Sequence, residues 1–134
     1  MAAWTKFNSF TEALAEGTHN LGSHTLRIAL SNSAPSAGNT VLTDITQIAA
    51  SGGYTPAAVT VSSSSQTGGT YSLVVAATTF TAAGADFAPF RYAVLYNDTA
   101  ASDPLIAYYD YGTSYTLPDG QPFTFNAGTV LTLA

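Results

Sequence analysis

Apolar and polar positions divide this chain into a short stretch of helical spacing and a long series of β runs. Trp4, Phe7, Phe10 and Leu14 recur every three or four residues. Ser9 and Glu12 stand at the two ends of a capping-box pattern, in which a hydroxyl and a carboxylate satisfy orphan amides. A short helix is expected there, stopped by Gly17. Thr25 to Leu30 alternates, with Leu26, Ile28 and Leu30 on one face and Arg27 and Ala29 on the other, which predicts a first strand. Ser31 to Asn39 reads as a loop containing Pro35 and Gly38, and Val41 to Ala50 as one or two helical turns capped by Thr40. From Tyr54 onward the pattern is β: AVTV, TYSLVV, TTFT, a central hairpin, TSYTL, PFTFN and TVLTL. Asp119-Gly120 is a tight-turn pair, and SSSSQTGG at Ser62 to Gly69 reads as a flexible loop.

The central hairpin, Phe90 to Gly112, is the most distinctive segment. Its strands RYAVLY and LIAYYDY flank a polar, Pro-containing loop and carry large apolar or aromatic side chains on both faces. A sheet with one face in water alternates apolar with polar residues, so this hairpin is expected to be covered on both sides. A second layer of the same domain would cover one side, and another subunit or a large partner the other side or the rim. The expected fold class is all-β: a jelly-roll-like antiparallel β-sandwich with a short N-terminal helix. One domain is expected over residues 1–134, with 1–20 as an N-terminal arm or helix and 21–134 as the sandwich.

Composition sharpens the expectation of assembly. Charged residues are only 8% of the chain, against about 25% in typical soluble proteins, and Ser, Thr, Ala and Gly take their place. Such a surface has few charges to guard exposed strand edges. Lys6, Arg27 and Arg91 stand against eight acidic residues, a net charge of -5, the wrong sign for a phosphate backbone. No nucleic-acid partner is expected, and no membrane partner, because no apolar run of about 18 residues occurs. MAAWTKFNSF lacks the features of a signal peptide, and cysteine is absent, so synthesis in the cytosol and no thiol chemistry are expected.

The search for chemistry yields little. His19 and His24 flank a turn-like HNLGSH stretch, but a spacing of five does not put them on one helical face, and they are read as structural. Most of the eight carboxylates, Glu12, Glu16, Asp44, Asp86, Asp98, Asp103, Asp110 and Asp119, sit beside turn residues, where Asp accepts local hydrogen bonds. Asp98 with Asp110 is a conceivable glycosidase pair, though solvated loop acids are the favoured reading, and NDTAASD lacks the density of a calcium loop. No catalytic residue, cofactor or metal site is expected. Arg27 and Arg91 lie within strand-like runs and need an acidic partner, either Asp44, Asp86 or Asp110 of the same chain or one across an interface. Alternate tyrosines among Tyr92, Tyr96, Tyr108, Tyr109, Tyr111 and Tyr115 should be core, and outward ones a sugar-stacking or protein-contact surface. Trp4 is either a staple over the sandwich or an anchor in a neighbour. The candidate partner contacts are Trp4, Phe7, Arg27, Arg91 and Tyr115.

In order along the chain, the KFNSF start, LRIALSNSAP, GYTPAAVTV, FRYAVLYND, PLIAYYDYG and the short terminal β pair resemble small virion proteins of tailed bacteriophages, most of all capsid decoration or cement proteins. The resemblance implies a jelly-roll-like subunit on the capsid exterior of an HK97-type shell, reached from the host cytoplasm during assembly. Its implied partners are the major capsid protein, which it bridges and stabilises, and itself, as a homodimer or homotrimer. It carries no catalytic residues. The competing expectation is a receptor- or carbohydrate-binding module of a phage tail or fibre. Tail modules are commonly sections of longer chains, and a start at Met1 with an end just after TVLTLA favours a free-standing subunit.

Overall fold

Alternation along Phe90–Asn97 sends its side chains into two separate cores, and the architecture follows from covering both. The computed structural model describes residues 4–133. Its elements are β1 (Thr5–Lys6), α1 (Asn8–Ala15), β2 (Leu26–Ser31), β3 (Ala57–Ala58), β4 (Val61–Thr67), β5 (Thr70–Val75), β6 (Thr78–Thr81), β7 (Phe90–Asn97), β8 (Leu105–Tyr115), β9 (Pro122–Phe125) and β10 (Gly128–Leu133). A five-stranded sheet in the order β1-β8-β7-β2-β3 faces a three-stranded sheet, β10-β5-β4, and a two-stranded one, β6-β9. All pairings are antiparallel. The protein is an all-β sandwich.

Between the layers lies the larger core, with Leu26, Ile28 and Leu30 from β2, Ala93 and Leu95 from β7, Leu73 and Val75 from β5, and Phe80, Phe125 and Leu131 from the facing strands. The opposite side chains, Ala29, Val94, Tyr96 and Leu105, form a second cluster with Phe7 and Ile45, flanked by Leu42 and Tyr108. The hairpin is thus covered on both sides near its tip, but the second cover comes from this chain and not from another subunit. Residues 40–48 supply it, anchored by Leu105 N–H donating to Thr40 O at 3.0 Å and Leu42 N–H donating to Asp103 O at 3.0 Å.

Pairing from β5 to β10 is nested: β7 with β8, β6 with β9, β5 with β10. The register stays nearly continuous, Val75 opposite Gly128, Thr78 opposite Phe125, Phe90 opposite Tyr115, so residues 71–133 form one long ribbon folded back on itself, the device that jelly rolls use.

The N-terminal segment is part of the sandwich. Thr5 and Lys6 pair with Tyr108 and Ala107 on the β8 edge. Phe7, with no exposed surface, enters the outer cluster, whereas Phe10, also fully buried, enters the main core, so the chain hooks around that edge between them. This hook displaces the expected capping box. Phe7 N–H donates to Ile106 O at 3.1 Å and Asn8 N–H to Ala37 O at 2.9 Å, which starts the helix at Asn8 and leaves Ser9 inside its first turn. The helix stops as expected at Gly17, where Thr18 N–H reaches back to Ala13 O at 2.9 Å.

Four other expectations change. SSSSQT is a strand: β4 pairs with β5 from Val61↔Val75 to Thr67↔Thr70, and Gly68 and Gly69, with φ of 60° and 86°, make the two-residue turn between them. The tight turn needs two left-handed residues, which the glycine pair supplies. TSYTL is not a separate strand but contributes the end of β8, and AVTV is split between β3 and β4. The expected helix after Thr40 is one 3₁₀ turn, Leu42–Asp44, held by the Asp44 carboxylate, which accepts from Thr40 N–H at 2.9 Å and Val41 N–H at 3.3 Å. Those bonds hold the Asp44 carboxyl below its ordinary range. No helix among the described residues is long and apolar enough to cross a membrane.

Burial of Phe7 makes it a test of this hook. Phe7→Ala should destabilise the protein by about 3–5 kcal/mol, as for other fully buried aromatic truncations. Chemical denaturation reads this, and a change below about 1 kcal/mol would mean that residues 4–7 are a detached arm.

Candidate functional site: an aromatic rim at the end of the central hairpin

Beyond its pairing with β1, β8 continues into a row of aromatic residues. The sequence YYDY places Tyr109 and Tyr111 on one face, and PFTF does the same for Phe123 and Phe125 on β9, by the two-residue period of a strand. These faces meet. Tyr109 packs on Phe125 with centroids 5.3 Å apart and Tyr111 on Phe123 at 5.7 Å, both edge to face. Phe90 adds an edge contact to Phe123 at 5.1 Å and to Tyr115 at 5.7 Å, and Tyr115 also lies 5.7 Å from Phe123. Trp4 completes the row against Tyr109 at 5.8 Å and Phe125 at 5.7 Å, with Nε1–H donating to Ala127 O at 3.1 Å.

The row is half-buried at the Trp4 end and open at the other. Tyr111 is 46% exposed and Tyr115 39%, the exposed large hydrophobic residues of the described chain. The cleft beside Tyr111, lined by Phe90, Tyr109 and Phe123, measures about 10 Å³, no more than a single water needs, so the rings form a surface and not a pocket.

Polar contacts hold this surface in place. Arg91 makes a forked ion pair with Asp110, Nε to Oδ1 at 2.8 Å and Nη2 to Oδ2 at 3.1 Å, and its guanidinium lies 5.4 Å from the centroid of the Tyr92 ring. Asp110 Oδ1 also accepts Gly112 N–H at 2.8 Å, where φ of 93° lets the strand bulge outward between Tyr111 and Tyr115. The Arg91 and Gly112 hydrogen bonds hold the Asp110 carboxyl below its ordinary range. Ser114 Oγ donates to Asn32 Oδ1 at 2.7 Å, tying the bulge to the loop after β2.

Of the five expected contact residues, Tyr115 packs on Phe90, Arg91 next along β7 pairs with Asp110 on β8, and Trp4 stands at the other end of the aromatic row from Tyr115. Trp4 packs over the sandwich through Tyr109, Phe125 and the Ala127 carbonyl, as a staple does. Phe7 offers no surface, being enclosed by its own chain. Arg27 lies at the other end of β7 and pairs with Asp98 at 3.0 Å, an aspartate outside the three candidates, while also donating to Pro56 O at 3.3 Å. The antiparallel pairing of Leu26 with Asn97 sets those neighbours side by side. Phe123, at the centre of the rim, was missed; its signal is the two-residue spacing to Phe125.

Elsewhere the candidate chemistry is absorbed by structure. Asp98 and Asp110 are held by different arginines. Asp86 Oδ1 accepts Asp119 N–H at 2.8 Å and Asp119 Oδ1 accepts Gly84 N–H at 2.9 Å, which buttresses the turn at Gly120. His19 and His24 both turn Nδ1 toward the Asn97 amide. A groove of about 640 Å³ runs between the end of α1 and the inner face of β4, β5 and β10; its lining residues, Leu14, Leu21, Tyr71 and Leu133 among them, are uncharged. Among the described residues no group of three or more His, Cys, Asp or Glu side chains could hold a metal ion. Neither a family model, nor a curated protein, nor a solved structure matches the chain.

The Asp110 contacts predict how the rim is ordered. Asp110→Asn should weaken the Arg91 pair, loosen the Gly112 bond and raise amide exchange across Tyr111–Tyr115 several-fold. Because the folded carboxyl titrates below its ordinary 3.8, its contribution is complete above that value and is lost as pH falls through the folded-state pKa. Wild-type rim amides should therefore loosen only in strong acid, and an Asp110 carboxyl that titrates above 3.8 by NMR would contradict the arrangement.

Proposed function

We propose that this protein is a structural virion subunit: a capsid decoration, or cement, protein that attaches to the outside of an HK97-type phage shell and bridges neighbouring major capsid proteins. The observation that carries the reading is the exposed Tyr111–Tyr115 pair on a rigid base of Phe90 and Phe123. Tyrosine supplies large contact area at little entropic cost, and protein interfaces are enriched in it. Ordered rings lose little further freedom on docking.

Strand edges support the same reading. β1 pairs with β8 only at Tyr108 and Ala107, while β8 runs on to Tyr115. On the opposite layer β4 ends its sheet with seven residues, VSSSSQT, none of them charged. Lysine, proline or inward-pointing charge commonly protects such edges in proteins that work alone. An uncharged edge and an aromatic rim dock without the cost of stripping water from ions. Each contact need contribute only modestly, because bridging two capsomers makes the second contact intramolecular, and binding only to the assembled lattice stabilises that lattice by mass action. A second copy of this chain is a natural neighbour in such a lattice.

Replacing both rim tyrosines tests the reading. Tyr111→Ala with Tyr115→Ala should lower occupancy on purified shells at least tenfold, from about 1–2 kcal/mol per truncated anchor. Both side chains are substantially exposed, so the melting temperature should change little. Full attachment by this variant would remove the rim from the interface. Glycan binding by the isolated protein, lost in the same variant, would replace the decoration reading with a carbohydrate-binding module.

A further inference from the structure

Three polar side chains distant in sequence meet beneath the turn that follows α1. Asn97, fully buried at the end of β7, accepts Thr99 N–H at 3.0 Å and Ala100 N–H at 3.1 Å on Oδ1. That fixes the amide orientation and leaves Nδ2 with two hydrogens to donate. One goes to His19 Nδ1 at 3.0 Å, the other to His24 Nδ1 at 2.9 Å. Both ring nitrogens must be acceptors, and His24 Nδ1 also accepts Asn20 N–H at 3.2 Å. Each imidazole is therefore neutral, with its proton on Nε2. His19 is 5% exposed, packs 5.1 Å from the Phe10 ring, and has no partner for Nε2.

We propose that this trio is a proton-operated latch, holding the 18–25 segment against the tip of the central hairpin at neutral pH and releasing it in mild acid. A proton on either Nδ1 would set donor against donor at about 3 Å, and Asn97 cannot turn its amide without abandoning Thr99 and Ala100. The titratable groups on adjoining elements offer no relief that is free. Arg27 on β2 is held by Asp98 beside the hairpin loop, and the Tyr71 hydroxyl on β5 is bonded to Ser64 Oγ at 2.7 Å. α1 contributes the Phe10 ring at this point, with Glu12 and Glu16 exposed, and Asp103 lies at the far end of the hairpin loop.

Burial and the neighbouring His24 both lower the His19 pKa from its ordinary 6.5. A depressed folded-state pKa means that the stabilisation is complete above the unfolded value and is lost as pH falls through the folded one. The proton that His19 takes up on release weakens the closed state by up to about tenfold per pH unit. Release would free one wall of the 640 Å³ groove, where His19, Asn20 and Leu21 lie opposite Tyr71 and Leu133. The inference is independent of the capsid reading.

Long-range proton–nitrogen NMR of the full chain at about pH 8 should show both rings with hydrogen on Nε2. Between about pH 7 and pH 5, amides from His19 to Thr25 and at Thr99 and Ala100 should lose at least tenfold protection, while β2 and β7 keep theirs. Asn97→Asp replaces the donor by an acceptor and should reverse the trend, favouring closure in acid. If that variant fails to fold, His19→Phe, which keeps an aromatic ring against Phe10 without a titrating nitrogen, should flatten the pH dependence. Hydrogen on Nδ1 of either ring at pH 8, or protection of His19 to Thr25 unchanged between pH 7 and pH 5, would overturn the latch.

Discussion

Strand β7 must be dry on both faces, and most of the molecule can be derived from that constraint. Ala93 and Leu95 point into the sandwich while Val94 and Tyr96 point away from it, so a single opposing layer leaves half the strand in water. The inner half is met by β5, β6, β9 and β10. The outer half is met by Phe7, Leu42 and Ile45, three residues drawn from segments with little regular structure. Backbone bonds from Phe7, Leu42 and Leu105 hold that cover in place, so the hook at the N-terminus and the loop after β2 are as much part of the core as the strands are.

Meeting this constraint within the chain leaves the periphery free for contacts. The nested ribbon brings β8 and β9 face to face at its far end, where aromatic residues at two-residue spacing interlock from Trp4 to Tyr115. With 8% charged residues, the protein spends two of its three cations on intramolecular pairs, Arg27 with Asp98 and Arg91 with Asp110. These pairs are partly exposed and contribute little to stability; their consequence is geometric, since they fix the two ends of the hairpin. A surface of tyrosine rings and serine edges, with both arginines already paired, can dock without stripping water from those ions.

Much of the sandwich was legible because burial imposes period two. Leu26, Ile28 and Leu30, and the hairpin at RYAVLY and LIAYYDY, could be placed from spacing alone. β4 was not, because serine carries no hydrophobic signal; an edge strand needs only backbone pairing, and the Gly68-Gly69 turn before TYSLVV was its one mark. The capping box at Ser9 lost to tertiary anchoring of Phe7, a contact with Ile106 that local pattern cannot reveal. Likewise His19 and His24 converge on Asn97, 78 and 73 residues away, and only the β2–β7 pairing makes them neighbours. At the rim, Arg91 and Tyr115 were readable as strand-borne side chains, whereas Phe123 depended on knowing that β9 folds over β8.

We propose that this fold occupies a repeating site on a shell. Quantitative mass spectrometry of purified particles, giving copies of this chain per copy of the major capsid protein, tests it most directly. A decoration role predicts a fixed ratio near one, or a simple fraction set by the symmetry axis occupied. Absence of the chain from the particles, or a handful of copies in each, would contradict it.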